Sequence, residues 1–273
     1  MATYVVTGVS RGIGYEFLRL LSTNEKNIIL GIVRNKSATH DKIQGDSELR
    51  GRSNIHLIEA DITDYNALQQ ASECAAKITD GAVDYVIANA GLVTPFGAFE
   101  SIGKLGENPQ QLEQTMKDLF NTNAIANVHL FNLFLPLVRK GQAKKLVAIS
   151  SCLADIDFTN DFAVESGPLY AVSKAAVNMV IAKFNAQYKK EGILFLSICP
   201  GMVNTGHYLN PTPEQLQGLR AVMENFTRYA PNFVGSDTPE NAARAVQQVW
   251  ESASIENGNG GEMLSHYGNK QWL

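Results

Sequence analysis

Residues Thr3–Thr7, Thr-Tyr-Val-Val-Thr, form a short β-rich run that ends in Gly8-Val9-Ser10-Arg11-Gly12-Ile13-Gly14. Apolar residues then recur at helical spacing, at Ile13, Phe17, Leu18, Leu20 and Leu21. A strand that turns through glycines straight into a helix leaves free N–H groups at the helix start and lets backbone approach a ligand closely. That is the local context of a phosphate-binding loop. The spacing of Gly8, Gly12 and Gly14 is G-x-x-x-G-x-G, and a glycine triplet alone would also serve an ordinary turn. Its place between strand and helix favours the phosphate reading.

The same alternation continues along the chain. Residues 27–33, 54–59, 83–88, 145–150, 193–199 and 262–266 read as strands. Between them, 65–79, 109–139, Pro168–Tyr188, 213–228 and 239–251 read as helices, and 35–53 as a polar helix with a ragged connection. Strand–helix alternation predicts an α/β fold: a single-domain, doubly wound, Rossmann-like parallel sheet of about seven strands flanked by helices. No repeat, low-complexity tract or linker divides residues 1–273. Ligands of such sheets bind beyond the strand C-termini, and every motif singled out here lies at one.

Composition excludes other classes. The formal charge is −4 and the pI about 5.8, with Lys and Arg scattered, so no electrostatic nucleic-acid partner is expected. Cys74, Cys152 and Cys199 are widely spaced and odd in number, which argues against a disulfide framework or a zinc site. The expectation is a reducing compartment and no metal. No apolar run approaches a membrane span, and the chain enters a strand at once, so a cytoplasmic protein is expected.

The end of the second strand separates the nicotinamide cofactors. An Asp or Glu there would bind ribose hydroxyls, whereas an Arg accommodates a 2′-phosphate. Arg34 stands there, and Arg11 lies inside the glycine loop, so NADP(H) is expected. Further on, Asp61-Ile62 follows the third strand, where Asp61 could accept from an adenine amino group or simply hold a turn. The fourth strand runs into Asn89-Ala90-Gly91, small residues that let backbone approach a ligand. Asn123 falls within the long helical stretch 109–139, where a lone Asn reads as a surface residue. That stretch is apolar on more than one face, which would suit a partner subunit.

Ser151 to Lys174 carries the chemistry. Tyr170 and Lys174 are four apart and share a helix face. An ammonium beside a phenol favours the phenolate, which suits a general acid or base near neutral pH. A hydroxyl precedes them at Ser151. Pro200-Gly201-Met202-Val203-Asn204-Thr205 follows the sixth strand.

Taken in order, Thr7-Gly8-x-x-x-Gly12-Ile13-Gly14, Asp61, Asn89-Ala90-Gly91, Asn123, Ser151, Tyr170-x-x-x-Lys174 and Pro200-Gly201-x-Val203-x-Thr205 resemble the classical short-chain dehydrogenases/reductases. The resemblance spans essentially the whole chain. The ending from Gly261 to Trp272 is similar to the C-factor/sniffer-like branch and to fungal ketoreductases. The resemblance implies NADPH-dependent reduction of a ketone or aldehyde, with Tyr170 as proton donor and Lys174 lowering its pKa. It also implies that Ser151 orients the carbonyl and Asn123 anchors a relay water. Cofactor contacts are implied at Gly8, Ser10, Arg11, Gly12, Ile13, Gly14, Arg34, Asp61, Ile62, Asn89, Ala90, Gly91, Tyr170, Lys174, Pro200, Gly201, Val203 and Thr205. A homodimer or homotetramer through the two long helices is implied as well.

Two features depart from the family pattern. Ala88 stands where many members have an Asn, and Ser151 and Tyr170 are 170 − 151 = 19 apart, longer than usual. The extra residues hold Asp155, Asp157, Asp161 and Glu165 among Phe158 and Phe162. They are expected to form a loop over the chemistry that shapes substrate choice. The resemblance also implies a small substrate lid at residues 206–234, whose Tyr208, Leu209, Leu216, Leu219, Met223, Phe226 and Tyr229 favour an apolar or aromatic carbonyl compound, or simply pack the lid onto the body. A non-catalytic, cofactor-binding regulatory protein, imine reduction, and alcohol oxidation are the alternatives.

Overall fold

The computed structural model describes residues 1–206 and 212–273. Its seven strands are β1 (Thr3–Thr7), β2 (Ile28–Val33), β3 (Ile55–Glu59), β4 (Tyr85–Ala88), β5 (Lys145–Ile149), β6 (Leu194–Cys199) and β7 (Met263–Ser265). They form one parallel sheet in the order β3-β2-β1-β4-β5-β6-β7. The order reverses between β1 and β4, so the chain winds outward in both directions and a crevice opens at the strand C-termini there. β2 and β6 read as nearly unbroken apolar runs because both sheet faces are covered.

The covering helices are α1 (Gly12–Leu21), α2 (Lys36–Gly45), α3 (Tyr65–Ile78), the short α4 (Ile102–Leu105), α5 (Pro109–Phe120), α6 (Ala126–Val138), α7 (Ile156–Phe162), α8 (Pro168–Tyr188), α9 (Pro213–Tyr229) and α10 (Pro239–Ser252). On one face Phe17 and Leu18 of α1 pack with Val246 and Trp250 of α10 against Val6, Ile29 and Ile198. On the other, Leu68 of α3, Phe131 and Phe134 of α6, and Val177 and Ile181 of α8 pack against Val5, Val86 and Phe195. Proline at the first helical turn starts α5, α8, α9 and α10, where a missing N–H costs nothing.

Three expectations need correction. The stretch 109–139 is not one helix: a π turn at Asn121–Ile125 separates α5 from α6. Helical apolar periodicity runs through that turn, so the break is hidden in sequence, and its effect is to turn Asn123 wholly inward, 0% exposed, rather than to the surface. Most of the apolar excess of this stretch is core, and Phe120 and Ile125 remain as exposed apolar residues. Finally, 152–168 is not a plain loop. It holds a 3₁₀ turn at Cys152–Ala154 and then α7, whose N-cap Asp155 accepts from the Phe158 N–H at 2.6 Å. Asp157, Asp161 and Glu165 face solvent, while Phe158 is buried. Among the described residues no helix is long and apolar enough to cross a membrane.

Candidate active site

A groove of about 630 Å³ lies across the C-terminal ends of the strands at the reversal of strand order. It is lined by Gly8, Ser10, Arg11, Gly12 and Ile13 of the first loop, Arg34, Asp61 and Ile62 after β2 and β3, and Asn89, Ala90 and Gly91 after β4. Ser151, Tyr170, Lys174, Pro200, Gly201, Val203 and Thr205 complete the residues singled out by sequence. Gly14 and Asn123 do not line it, and both act from behind.

The glycine loop shows why its residues are small. Gly8 adopts φ +73°, and a Cβ there would lie 2.9 Å from the Ala90 Cα. At Gly14 a Cβ would meet the Gly8 carbonyl oxygen at 2.3 Å and the Asn89 Nδ2 at 2.4 Å. Gly14 thus lets α1 press against the β4 turn. That turn is tied to β1: the Thr7 Oγ1 accepts from the Asn89 N–H at 3.1 Å and the Ala90 N–H at 3.0 Å, and the Asn89 Nδ2 donates to the Thr7 carbonyl at 2.9 Å. The two switch-point strands therefore hold their loops together through one buried hydroxyl. From the far side, the Thr205 Cγ2 would lie 3.3 Å from a Cβ at Gly12, so the β6 loop reaches over the glycine loop.

Arg11 and Arg34 are exposed on the wall of this end of the groove. Asp61 accepts from the Thr63 N–H at 2.9 Å and from its hydroxyl at 2.7 Å, so it does hold a turn. Partial burial pushes its carboxyl up, but the bonds from Thr63 and the charge of Arg34 outweigh that and keep it below the usual carboxylate range. Its side chain still borders the groove.

At the other end α8 presents Tyr170 and Lys174. The Lys174 Nζ lies 5.6 Å from the Tyr170 ring centroid and donates to the Ile149 carbonyl at 2.8 Å. Burial pushes the Lys174 ammonium down to about 8, against the opposing charge of Cys199. The two serines after β5 diverge. The Ser150 hydroxyl is buried and donates to Asn178 Oδ1 of α8 at 2.7 Å, while Ser151 is half-buried and its Oγ accepts from the Leu153 N–H at 3.3 Å. Both serines line the groove, and of the two it is the Ser150 hydroxyl that is committed to donating to another side chain.

Asn123 works through the π turn. Its Oδ1 accepts from the Leu92 N–H at 2.7 Å, and its Nδ2 donates to the Leu92 carbonyl at 3.0 Å and to the Ser173 hydroxyl at 2.9 Å. A Cβ on Gly91 would lie 3.3 Å from the Asn123 Oδ1 and 3.4 Å from the Lys174 Nζ. Asn123 and Lys174 therefore border one small space at Gly91, although they come from different helices.

Sequence reasoning missed Asp118 at the end of α5 and Asn121 and Thr122 of the π turn, which line the groove. For Asn121 and Thr122 the only signal was the same unreadable π turn. The apolar lid residues are also resolved in part. Phe226 is buried and Tyr229 half-buried in an aromatic cluster with Phe158 and Phe162, which is the packing alternative; Tyr208 and Leu209 lie outside the described residues. Among the described residues no group of three His, Cys, Asp or Glu side chains could hold a metal ion.

Known proteins resemble this chain in sequence and in fold. Residues 2–215 match the family described as short chain dehydrogenase. The chain is 50% identical over 273 residues to the short chain dehydrogenase virK of Hypocrea virens, and 47% identical over 274 residues to the short-chain dehydrogenase/reductase iacC of Pestalotiopsis fici; each comparison covers 100% of both chains. Among solved structures, the NADPH-bound carbonyl reductase from chicken fatty liver superposes with a TM-score of 0.76 at 21% identity, and the carbonyl reductase Sniffer of D. melanogaster with 0.75 at 18%. Both superpositions cover 98% of each chain and share the fold. With its parallel sheet, its glycine loop at the switch point and full-length relatives of this kind, the chain belongs to the short-chain dehydrogenase/reductase family of oxidoreductases.

Proposed function

We propose that this chain reduces a ketone or aldehyde to an alcohol with NADPH, and that Tyr170 protonates the carbonyl oxygen. One observation carries the reading: a phenol, a buried amine and a hydroxyl meet at one end of a groove whose other end has a glycine cradle and two guanidiniums. The cradle fits a dinucleotide. Side chains at Gly8 or Gly14 would collide with backbone and with Asn89, so the loop is kept bare where a pyrophosphate needs close approach. Gly8, Ser10, Gly12 and Ile13 would hold the phosphates, Asp61 and Ile62 the adenine end, and Asn89–Gly91 with Pro200, Gly201, Val203 and Thr205 the nicotinamide half. Arg11 and Arg34 would pair with a 2′-phosphate. When bound, the reduced nicotinamide supplies the hydride.

The residues of the chain do the rest. Ser151 donates to the carbonyl oxygen and orients it. Lys174 holds positive charge beside Tyr170, favouring release of the phenolic proton to that oxygen. With an ammonium poised at about 8, the charge is present at neutral pH and can be lost through the space at Gly91. Asn123 borders that space, where a water molecule would link the ammonium to solvent.

The test is Tyr170→Phe, with NADPH consumption followed across ketones, aldehydes, imines and quinones. The variant should bind NADPH as the parent does and lose about 10²–10⁴ in turnover, the usual worth of a general acid. Undiminished turnover would refute the role of Tyr170. A parent protein that binds NADPH tightly and reduces nothing would instead favour a regulatory one.

The exposed apolar residues Phe120, Ile125, Val172 and Met179 on the π-turn region and α8 suit pairing of two copies through these helices. Light scattering should show a dimer or tetramer in the parent and a smaller species in Met179→Glu. A monomeric parent would assign this face to solvent.

A further inference from the structure

We propose that Tyr229 is a positioning residue for the carbonyl substrate: it fastens α9 to α7 and to residues 270–272, and so fixes the wall over the carbonyl end of the groove. The inference rests on the reading of that end as the carbonyl site.

Three segments meet at this one side chain. The Tyr229 ring meets Phe158 edge-on at 4.8 Å and 81°, and Phe162 at 4.9 Å and 90°. Both phenylalanines belong to α7. Edge-to-face pairs at this distance are favourable beyond the area they bury. At its tip, the Tyr229 hydroxyl accepts from the Trp272 N–H at 3.0 Å and donates to the Lys270 carbonyl at 3.3 Å. Trp272 is 3% exposed and packs in the same cluster as Phe158 and Phe226. Neighbours on α9 close the end of α7: the Asn225 Nδ2 donates to the Ala163 carbonyl at 3.4 Å, and Arg228 donates to the Phe162 carbonyl.

Both sides of the groove are reached from this node. α7 connects through the Cys152–Ala154 turn to Ser151, and Cys152 is buried in the same aromatic cluster. On the opposite side, a Cβ at Gly218 of α9 would lie 2.3 Å from the Phe99 Cβ. Phe99 belongs to the segment that continues from Gly91, Leu92 and Val93, which line the groove. α9 therefore touches both the segment that follows the β4 loop and the segment that follows Ser151. The residues inserted between Ser151 and Tyr170 act on the site through α9 rather than by placing their acidic groups over it.

Tyr229→Phe keeps the ring and removes two hydrogen bonds. In the NADPH-loaded protein it should raise the KM for a reducible carbonyl about tenfold, the equivalent of two modest bonds. kcat and the NADPH dissociation constant should change less than about twofold. Hydrogen–deuterium exchange of amides in 213–229 should quicken in the same variant. Trp272→Ala should move KM and exchange in the same direction. An unchanged KM, or a KM rise matched by weaker NADPH binding, overturns the proposal. If the parent reduces no carbonyl, the functional reading fails and exchange alone decides the clamp: unaltered protection of α9 in Tyr229→Phe would overturn it, and faster exchange would sustain it.

Discussion

Lys174→Met isolates the electrostatic cost built into the site. The ammonium is 4% exposed and burial lowers its pKa from 10.5 to about 8. At about 1.4 kcal/mol per unit, that difference corresponds to roughly 3 kcal/mol of destabilisation wherever both folded and unfolded chains carry the charge. The sign follows from linkage. Below about pH 8 both states are protonated and the full cost is present. Between about 8 and 10.5 the unfolded chain holds more protons than the folded one, so stability rises with pH; above 10.5 the contribution is gone. Methionine removes the charge at every pH, but it also leaves the Ile149 carbonyl without its 2.8 Å donor, a loss of about 1–3 kcal/mol. The absolute stability of the variant at pH 7 is therefore a near balance, and the informative quantity is its difference from the parent. That difference should shift in the parent's favour by about 1 kcal/mol between pH 7 and pH 9. Urea unfolding of the cofactor-free proteins at a series of pH values measures it, since bound cofactor would add its own linkage. Buried Tyr4 and Tyr15, both pushed up by their surroundings, are alike in both proteins and drop out of the comparison, whereas Cys199, whose thiol the Lys174 charge helps to hold down, belongs to the Lys174 contribution itself. Parallel stability curves, or a gap moving the other way, would refute the argument that Lys174 is held in the site at an electrostatic cost.

Other perturbations probe the cofactor end. Neutralising Arg11 and Arg34 together should cut the preference for NADPH over NADH by at least about tenfold, read from the two dissociation constants, because charge-assisted bonds to a phosphate are lost. A parent that prefers NADH would contradict this assignment outright. Thr7→Val keeps the shape but removes the acceptor shared by the Asn89 and Ala90 N–H groups, so thermal or urea unfolding should show a loss of about 1–3 kcal/mol and weaker cofactor binding.

The parts legible in sequence are those whose signal is local. β1 and the glycine loop combine a β-branched run with turn residues, and both lie where the spacing put them. α8 runs from Pro168 to Tyr188 as read, because Pro opens it and its apolar spacing is unbroken, and that fixes Tyr170 and Lys174 on one face. Asn123 was illegible for the opposite reason. A π turn adds one residue to a helical turn without changing composition, so the sequence still reads as helix while the side chain rotates from surface to core. The role of Asp61 stayed open until its two bonds to Thr63 were visible, since a turn Asp and a groove Asp look alike in a string of letters.

The segment between Ser151 and Tyr170 shows how composition can mislead about function. Four carboxylates in a short stretch invite a charged pocket, but Asp155 serves as a helix cap and Asp157, Asp161 and Glu165 turn to solvent. Phe158 and Phe162, four apart, were the structural signal: that spacing places both rings on one face of a short helix, and the face is buried against Tyr229 and Phe226. A seven-residue helix cannot stand alone in water, so α7 owes its existence to α9 and to residues 270–272. The consequence runs in both directions. Changes in the distant segment around Trp272 should be felt beside Ser151, and substitutions of the exposed acidic residues of α7 should leave the site nearly untouched.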